Sequence, residues 1–138
     1  MKADEIYLEI KSILEAGEVS VYDMPLEGWT PPAYPLLMIY PTKNPQEHGA
    51  RGKENTLEVM MTLAVRQSPA NAIVGTAQEM GILLFEKKVK DLLYAKLTLN
   101  GKVKYFNLSV SDYDYVHIKA GMIVAHADII LTTTYVET

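Results

Sequence analysis

The chain has 138 residues, 49% of them hydrophobic and 22% charged, with a formal net charge of −4. That length fits one domain spanning residues 1–138 and burying about two-thirds of its unfolded surface, and the acid excess argues against nucleic acid held on a basic face. The absence of cysteine excludes disulfides, thiolate metal sites and a thiol nucleophile, and suits a reducing cytoplasm.

The opening MKADEIYLEIKSIL is too acidic and too interrupted for a signal peptide. With no apolar run long enough for a bilayer span, the expectation is a soluble protein. Residues 3–16 predict an amphipathic helix with Ile6, Ile10, Ile13 and Leu14 on one side, ended by Gly17. Val19, Val21 and Tyr22 predict a short strand closed by Asp23-Met24-Pro25. An irregular connector follows, carrying Gly28, Trp29, Pro31 and Pro32. Tyr34–Tyr40, YPLLMIY, reads as a strand with both faces covered, Pro35 lying at its start or on an edge. Residues 41–55, PTKNPQEHGARGKEN, lack a large apolar side chain and predict a long functional or mobile loop.

Thr56–Gln67 is the clearest strand, Leu57, Val59, Met61, Leu63 and Val65 alternating with Glu58, Met60, Thr62, Ala64 and Arg66. Ser68–Leu93 predicts one long helix, Ser68 as N-cap and Pro69 at the first helical position. Its apolar residues spread widely: Ile73, Ala77, Met80 and Leu84 in one stripe, Val74, Gly81, Phe85 and Leu92 beside it, then Ile82 and Val89. Thr76, Glu79, Glu86 and Lys90 form the polar strip. A helix this widely apolar is expected to have two partners, its own sheet and either a loop or a second copy. Asn100-Gly101 between Leu97-Thr98-Leu99 and Val103 predicts a type I′ hairpin. A bend at Asp112–Tyr115, a short segment Val116–Ile118 and a long final strand Met122–Val136 complete the order. The sum is an α+β domain: a mainly antiparallel sheet, one central helix (68–93) across it, and an N-terminal helix.

Charge is uneven. Residues 1–33 carry Asp4, Glu5, Glu9, Glu15, Glu18, Asp23 and Glu27 against Lys2 and Lys11, whereas residues 79–104 carry Lys87, Lys88, Lys90, Lys96, Lys102 and Lys104 against Glu79, Glu86 and Asp91. Such ends either guide head-to-tail association or form simple solvated surface. Catalytic signatures are missing. His48, His117 and His126 have no metal-ligand spacing. His126 and Asp128 share a strand face, which is either a ligand pair or a half-solvated surface. Asp112 and Asp114 are either paired carboxylates or turn residues. Gly49-Ala50-Arg51-Gly52-Lys53 lacks the glycine spacing and the Lys-Ser/Thr ending of a phosphate loop. No catalytic residue, metal or cofactor is expected.

The N-terminal helix, Val19-Ser20-Val21-Tyr22-Asp23-Met24-Pro25, then Pro31-Pro32-Ala33, a polar loop, an alternating strand, a helix, a hairpin and a long last strand together resemble the tail terminator proteins of long-tailed bacteriophages. The related tail-completion and neck proteins belong to the same comparison. The resemblance spans nearly the whole chain. It implies a small non-enzymatic α+β protein that forms a hexameric ring, caps the tail tube and meets the head connector protein. Its partners would be copies of itself, the tail tube protein and the connector protein, with no membrane and no sequence-specific nucleic acid. It would reside in the virion neck, after assembly from the host cytoplasm. A head-side connector or stopper is the nearest alternative, and a small ligand-binding α+β domain the more distant one. Candidate interface residues are Lys43, Glu47, His48, Arg51, Lys53 and Glu54 on the polar loop, and Ile82, Phe85, Lys87, Lys88, Val89 and Lys90 on the helix.

Overall fold

The computed structural model describes residues 2–23, 34–42, 46–48 and 54–136. Trp29 and its connector, and Lys43, Arg51 and Lys53, lie outside the described residues. The described chain runs α1 (Lys2–Ala16), β1 (Val21–Asp23), β2 (Leu36–Pro41), β3 (Gln46–His48), β4 (Glu54–Gln67), α2 (Pro69–Val74), α3 (Ile82–Tyr94), β5 (Tyr105–Val110), β6 (Asp114–Lys119) and β7 (Met122–Val136). It is an α+β fold.

The sheet is built on a long antiparallel ribbon. β4 and β7 pair from Glu54↔Val136 to Gln67↔Ile123 without a register shift. β2 joins one side of β4 antiparallel and β1 adds to β2 in parallel, giving the path β1-β2-β4-β7-β5. β3 pairs with the start of β4, and β6 pairs with the start of β7. β3 therefore places a short hairpin arm within what reads in sequence as an unbroken 41–55 loop. The expected alternation holds: Leu57, Val59, Met61, Leu63 and Val65 of β4, and Ile123, Ala125, Ala127, Ile129 and Leu131 of β7, are buried on the face the helices cover. Ile6, Ile10, Ile13 and Leu14 of α1 close over the same core. Each large aliphatic side chain so buried contributes about 1.5–3 kcal/mol.

The single helix expected over 68–93 is two helices, with Gly75 ending α2 and Gly81 preceding α3. Gly75 takes φ +82°, a left-handed conformation that glycine adopts without steric cost. A Cβ on Gly75 would lie 2.5 Å from the Gly81 nitrogen, and a Cβ on Gly81 would meet the Ile73 carbonyl and the Gly75 nitrogen. The two glycines thus let the chain double back on itself. Thr76 staples the turn between them, its hydroxyl accepting the N–H groups of Gln78 and Glu79 at 3.3 and 3.1 Å. The break resets the helical phase, so the stripe Ile73–Ala77–Met80–Leu84 does not exist as one surface. In α3 the buried set is Ile82, Phe85, Glu86, Val89 and Leu93.

The Asn100-Gly101 hairpin is not formed either. Residues 95–102 are turns, and positive φ runs through Leu99 (48°), Asn100 (57°) and Gly101 (84°). Leu99 accepts this backbone because its side chain is fully buried, and the Asn100 amide donates to Glu9 of α1 at 2.6 Å. The strand that follows, β5, finds its partner in β7, with Phe106 opposite Thr133.

Candidate interaction surface

Ile82, Phe85 and Val89 were expected to meet a neighbouring subunit, and the structure corrects this: they are 0%, 1% and 0% exposed within one chain. Their side chains lie on β4 and β7 because the phase reset at Gly81 turns that stripe inward. The exposed face of α3 instead carries Leu83, Leu84, Lys87 and Asp91. Leu84 borders a shallow groove of about 380 Å³ with Met80, Lys87, Lys88, Leu92 and Ala95. Val74 of α2 and Leu97 after α3 are also exposed. On α1, Leu8 is 57% exposed, on the side opposite Ile6 and Ile10. It is framed one helical turn away by Asp4 and Glu5.

Glu86, which the helical period places on the polar strip, is 7% exposed. Its carboxylate accepts the Tyr113 hydroxyl and pairs with Lys90 at 3.1 Å. The hydrogen bond to Glu86, reinforced by burial, pushes the Tyr113 phenol up to about 12, since ionisation would set two negative charges side by side. Lys90 is thus tied into a partly buried polar cluster that pins the turn before β6 to α3. No local sequence signal marks this pair, whose members are 27 residues apart.

Among the polar-loop candidates, Glu47 and His48 lie in β3, with Asn55 and Glu54 as their register partners. Glu54 begins β4 and binds Lys104 at 2.9 Å. Lys87 pairs with Asp91 along α3 at 2.5 Å. The structure brings Lys87 and Lys88 together on α3 and, of the polar-loop candidates among the described residues, places Glu47, His48 and Glu54 on β3 and the start of β4.

The second surface is the face of the sheet that no described helix covers. Cross-strand partners point to the same side, so Tyr40, Met60, Ile130 and Ser109 form one row, and Met38, Thr62 and Asp128 the next. Leu36, Ala64, His126 and Asp114 form a third. Met38, Tyr40, Met60 and Ile130 are half-buried. His126 and Asp128 do share this face, but the Asp128 carboxylate accepts the Thr62 hydroxyl at 2.8 Å and its backbone N–H donates to Ser111 at 2.9 Å. Asp128 therefore knits β4, β7 and the end of β5. Asp112 and Asp114 separate, one in the turn and one in β6. β6 is exposed along its whole length and carries Tyr115, Val116 and Ile118. Among the described residues no group of three His, Asp or Glu side chains could hold a metal ion. No described helix is long and apolar enough to cross a membrane.

Tyr7 and Asp23 form a smaller polar contact beside α1. The Tyr7 hydroxyl donates to Asp23 at 2.7 Å, and Lys11 pairs with the same carboxylate at 3.3 Å. The Tyr7 hydrogen bond, helped by Lys11, holds Asp23 below the usual carboxylate range.

No protein-family model matches the chain, and no curated protein matches it.

Proposed function

We propose that the protein is a non-enzymatic structural component that closes into a ring and caps the tail tube of a long-tailed bacteriophage, as a tail terminator does, offering a second surface to the head connector. The observation that carries this reading is exposed apolar surface on both sides of one subunit, enough for a ring neighbour on one side and the tube or connector on the other: the outer flank of the helices, with Leu83 and Leu84, and the sheet face that no described helix covers, with Met38, Tyr40, Met60 and Ile130. A ring grows by heterologous contacts, in which two different patches meet, rather than one patch meeting itself. Exposed apolar residues on an edge strand such as β6 are ordinarily covered by a neighbour. Interfaces of this kind bury roughly 1,200–2,000 Å². Of the order of elements that carries the resemblance, α1, the short β1, the alternating β4 and the long last strand β7 are present and support the same assignment.

Light scattering and electron microscopy, on the purified protein alone and mixed with tail tubes, test the reading. A closed ring, free or seated at one tube end, is expected. A monomer in both conditions would overturn it.

A further inference from the structure

We infer that the lysine-lined groove of α3 receives the outer face of α1 from a second copy of this chain, the two helices running antiparallel. The inference rests on the ring reading only in requiring a second copy.

The two helix faces match in both apolar content and charge. On α1 the exposed Leu8 has Asp4 and Glu5 one turn toward the N-terminus. On α3 the exposed Leu84, 52% accessible, has Lys87 and Lys88 one turn toward the C-terminus. A turn rises about 5.4 Å. If Leu8 of one copy lies against Leu84 of the next and the helices are antiparallel, the acids therefore fall level with the lysines. Parallel helices would separate the same charges by about two turns, roughly a Debye length at physiological salt. Antiparallel packing also opposes the two helix dipoles favourably.

The groove suits an apolar knob. Met80, Leu84, Leu92 and Ala95 line it together with Lys87, Lys88 and Asp91. Asp91 already holds Lys87 at 2.5 Å. Lys88 is accordingly the cation that the incoming Glu5 meets. Burying one leucine on another supplies affinity, and the charges supply orientation and partner choice.

The chain's lack of cysteine permits a direct test. A tagged Leu8→Cys protein is mixed with an untagged Leu84→Cys protein under the conditions that give rings and is then oxidised. Disulfide-linked mixed dimers are expected to dominate over either homodimer. In parallel, Glu5→Lys and Lys88→Glu should each weaken assembly about tenfold at low salt, and mixing the two variants should restore it. Homodimers alone, or rings indifferent to both charge reversals, would overturn the contact while leaving the ring intact. A protein monomeric in every condition would overturn the ring reading, and this inference with it.

Discussion

The two faces of α3 both carry large apolar side chains and behave as opposite kinds of surface. Ile82, Phe85, Val89 and Leu93 are sealed against β4 and β7, while Leu83 and Leu84, inserted among them in sequence, remain about half exposed. Hydrophobicity does not separate the two sets; helical phase does, and the phase is set by where α3 begins. What a leucine contributes here depends on which side of Gly81's turn it is counted from. Truncating the inner face should therefore injure the monomer, and truncating the outer face should leave it alone.

The largest effect belongs to Phe85→Ala. It leaves a cavity over the β4–β7 ribbon and should cost about 3–5 kcal/mol in denaturant unfolding. Leu84→Ala should stay within about 0.5 kcal/mol by the same measurement. Equal losses at the two positions would erase the distinction between the faces.

Gly81→Ala sharpens the origin of that distinction. If 68–93 were one helix, alanine would replace glycine in a helix interior and stabilise by about 1 kcal/mol. In the observed turn its Cβ strikes the backbone of Ile73 and Gly75, so the expected result is destabilisation by about 1–3 kcal/mol, as for other overpacked sites. The two arrangements predict opposite signs, and a thermal melt distinguishes them.

This turn also marks the limit of what the sequence could disclose. The period-two patterns of β4 and β7 and the stripe of α1 were legible because each element buries one face and needs no distant partner to set its phase. Gly81 read as part of an apolar stripe, and two glycines six residues apart do not announce that their backbones touch. Asn100-Gly101 did mark positive φ, yet the run begins at Leu99, whose burial no local rule anticipates. The exposed Leu8 was legible in principle, as an apolar residue on the polar side of α1. Glu86 was not, because its burial depends on Tyr113 arriving from another element.

The contrast between inner and outer faces extends to polar contacts. Glu86→Gln keeps an acceptor for the Tyr113 hydroxyl but removes the charge that pairs with Lys90, and should cost about 1–3 kcal/mol. Tyr113 is raised from its ordinary 10.0 to about 12, so it favours the fold while it remains neutral. That contribution is complete below pH 10 and disappears as pH rises toward 12. In the Glu86→Gln protein the Tyr113 midpoint should move back toward 10. It can be read from the difference in tyrosinate absorbance between this protein and its Tyr113→Phe derivative. A midpoint unmoved by the substitution would mean that burial alone, rather than the carboxylate, holds the phenol neutral.

A smaller effect than at Glu86 is expected at Asp23, where the same type of contact sits at the surface, its side chain 66% accessible. Asp23 is held below its ordinary value chiefly by the Tyr7 hydroxyl and then by Lys11. Its contribution is therefore present above the unfolded value of about 3.9 and is lost as pH falls through the lower folded value. Water and salt screen an exposed pair, which limits that contribution to below about 1 kcal/mol. Tyr7→Phe removes the stronger of the two contacts while leaving Lys11 in place. Its unfolding free energy, followed from neutral pH into acid, should run slightly below the parent and converge on it as Asp23 protonates. Because the Tyr7 hydroxyl also donates to the Ile39 carbonyl at 3.1 Å, part of any loss will not depend on pH. Only the converging part reports the carboxylate, and parallel curves would show that Asp23, despite its lowered ionisation, contributes nothing to holding α1 against β1.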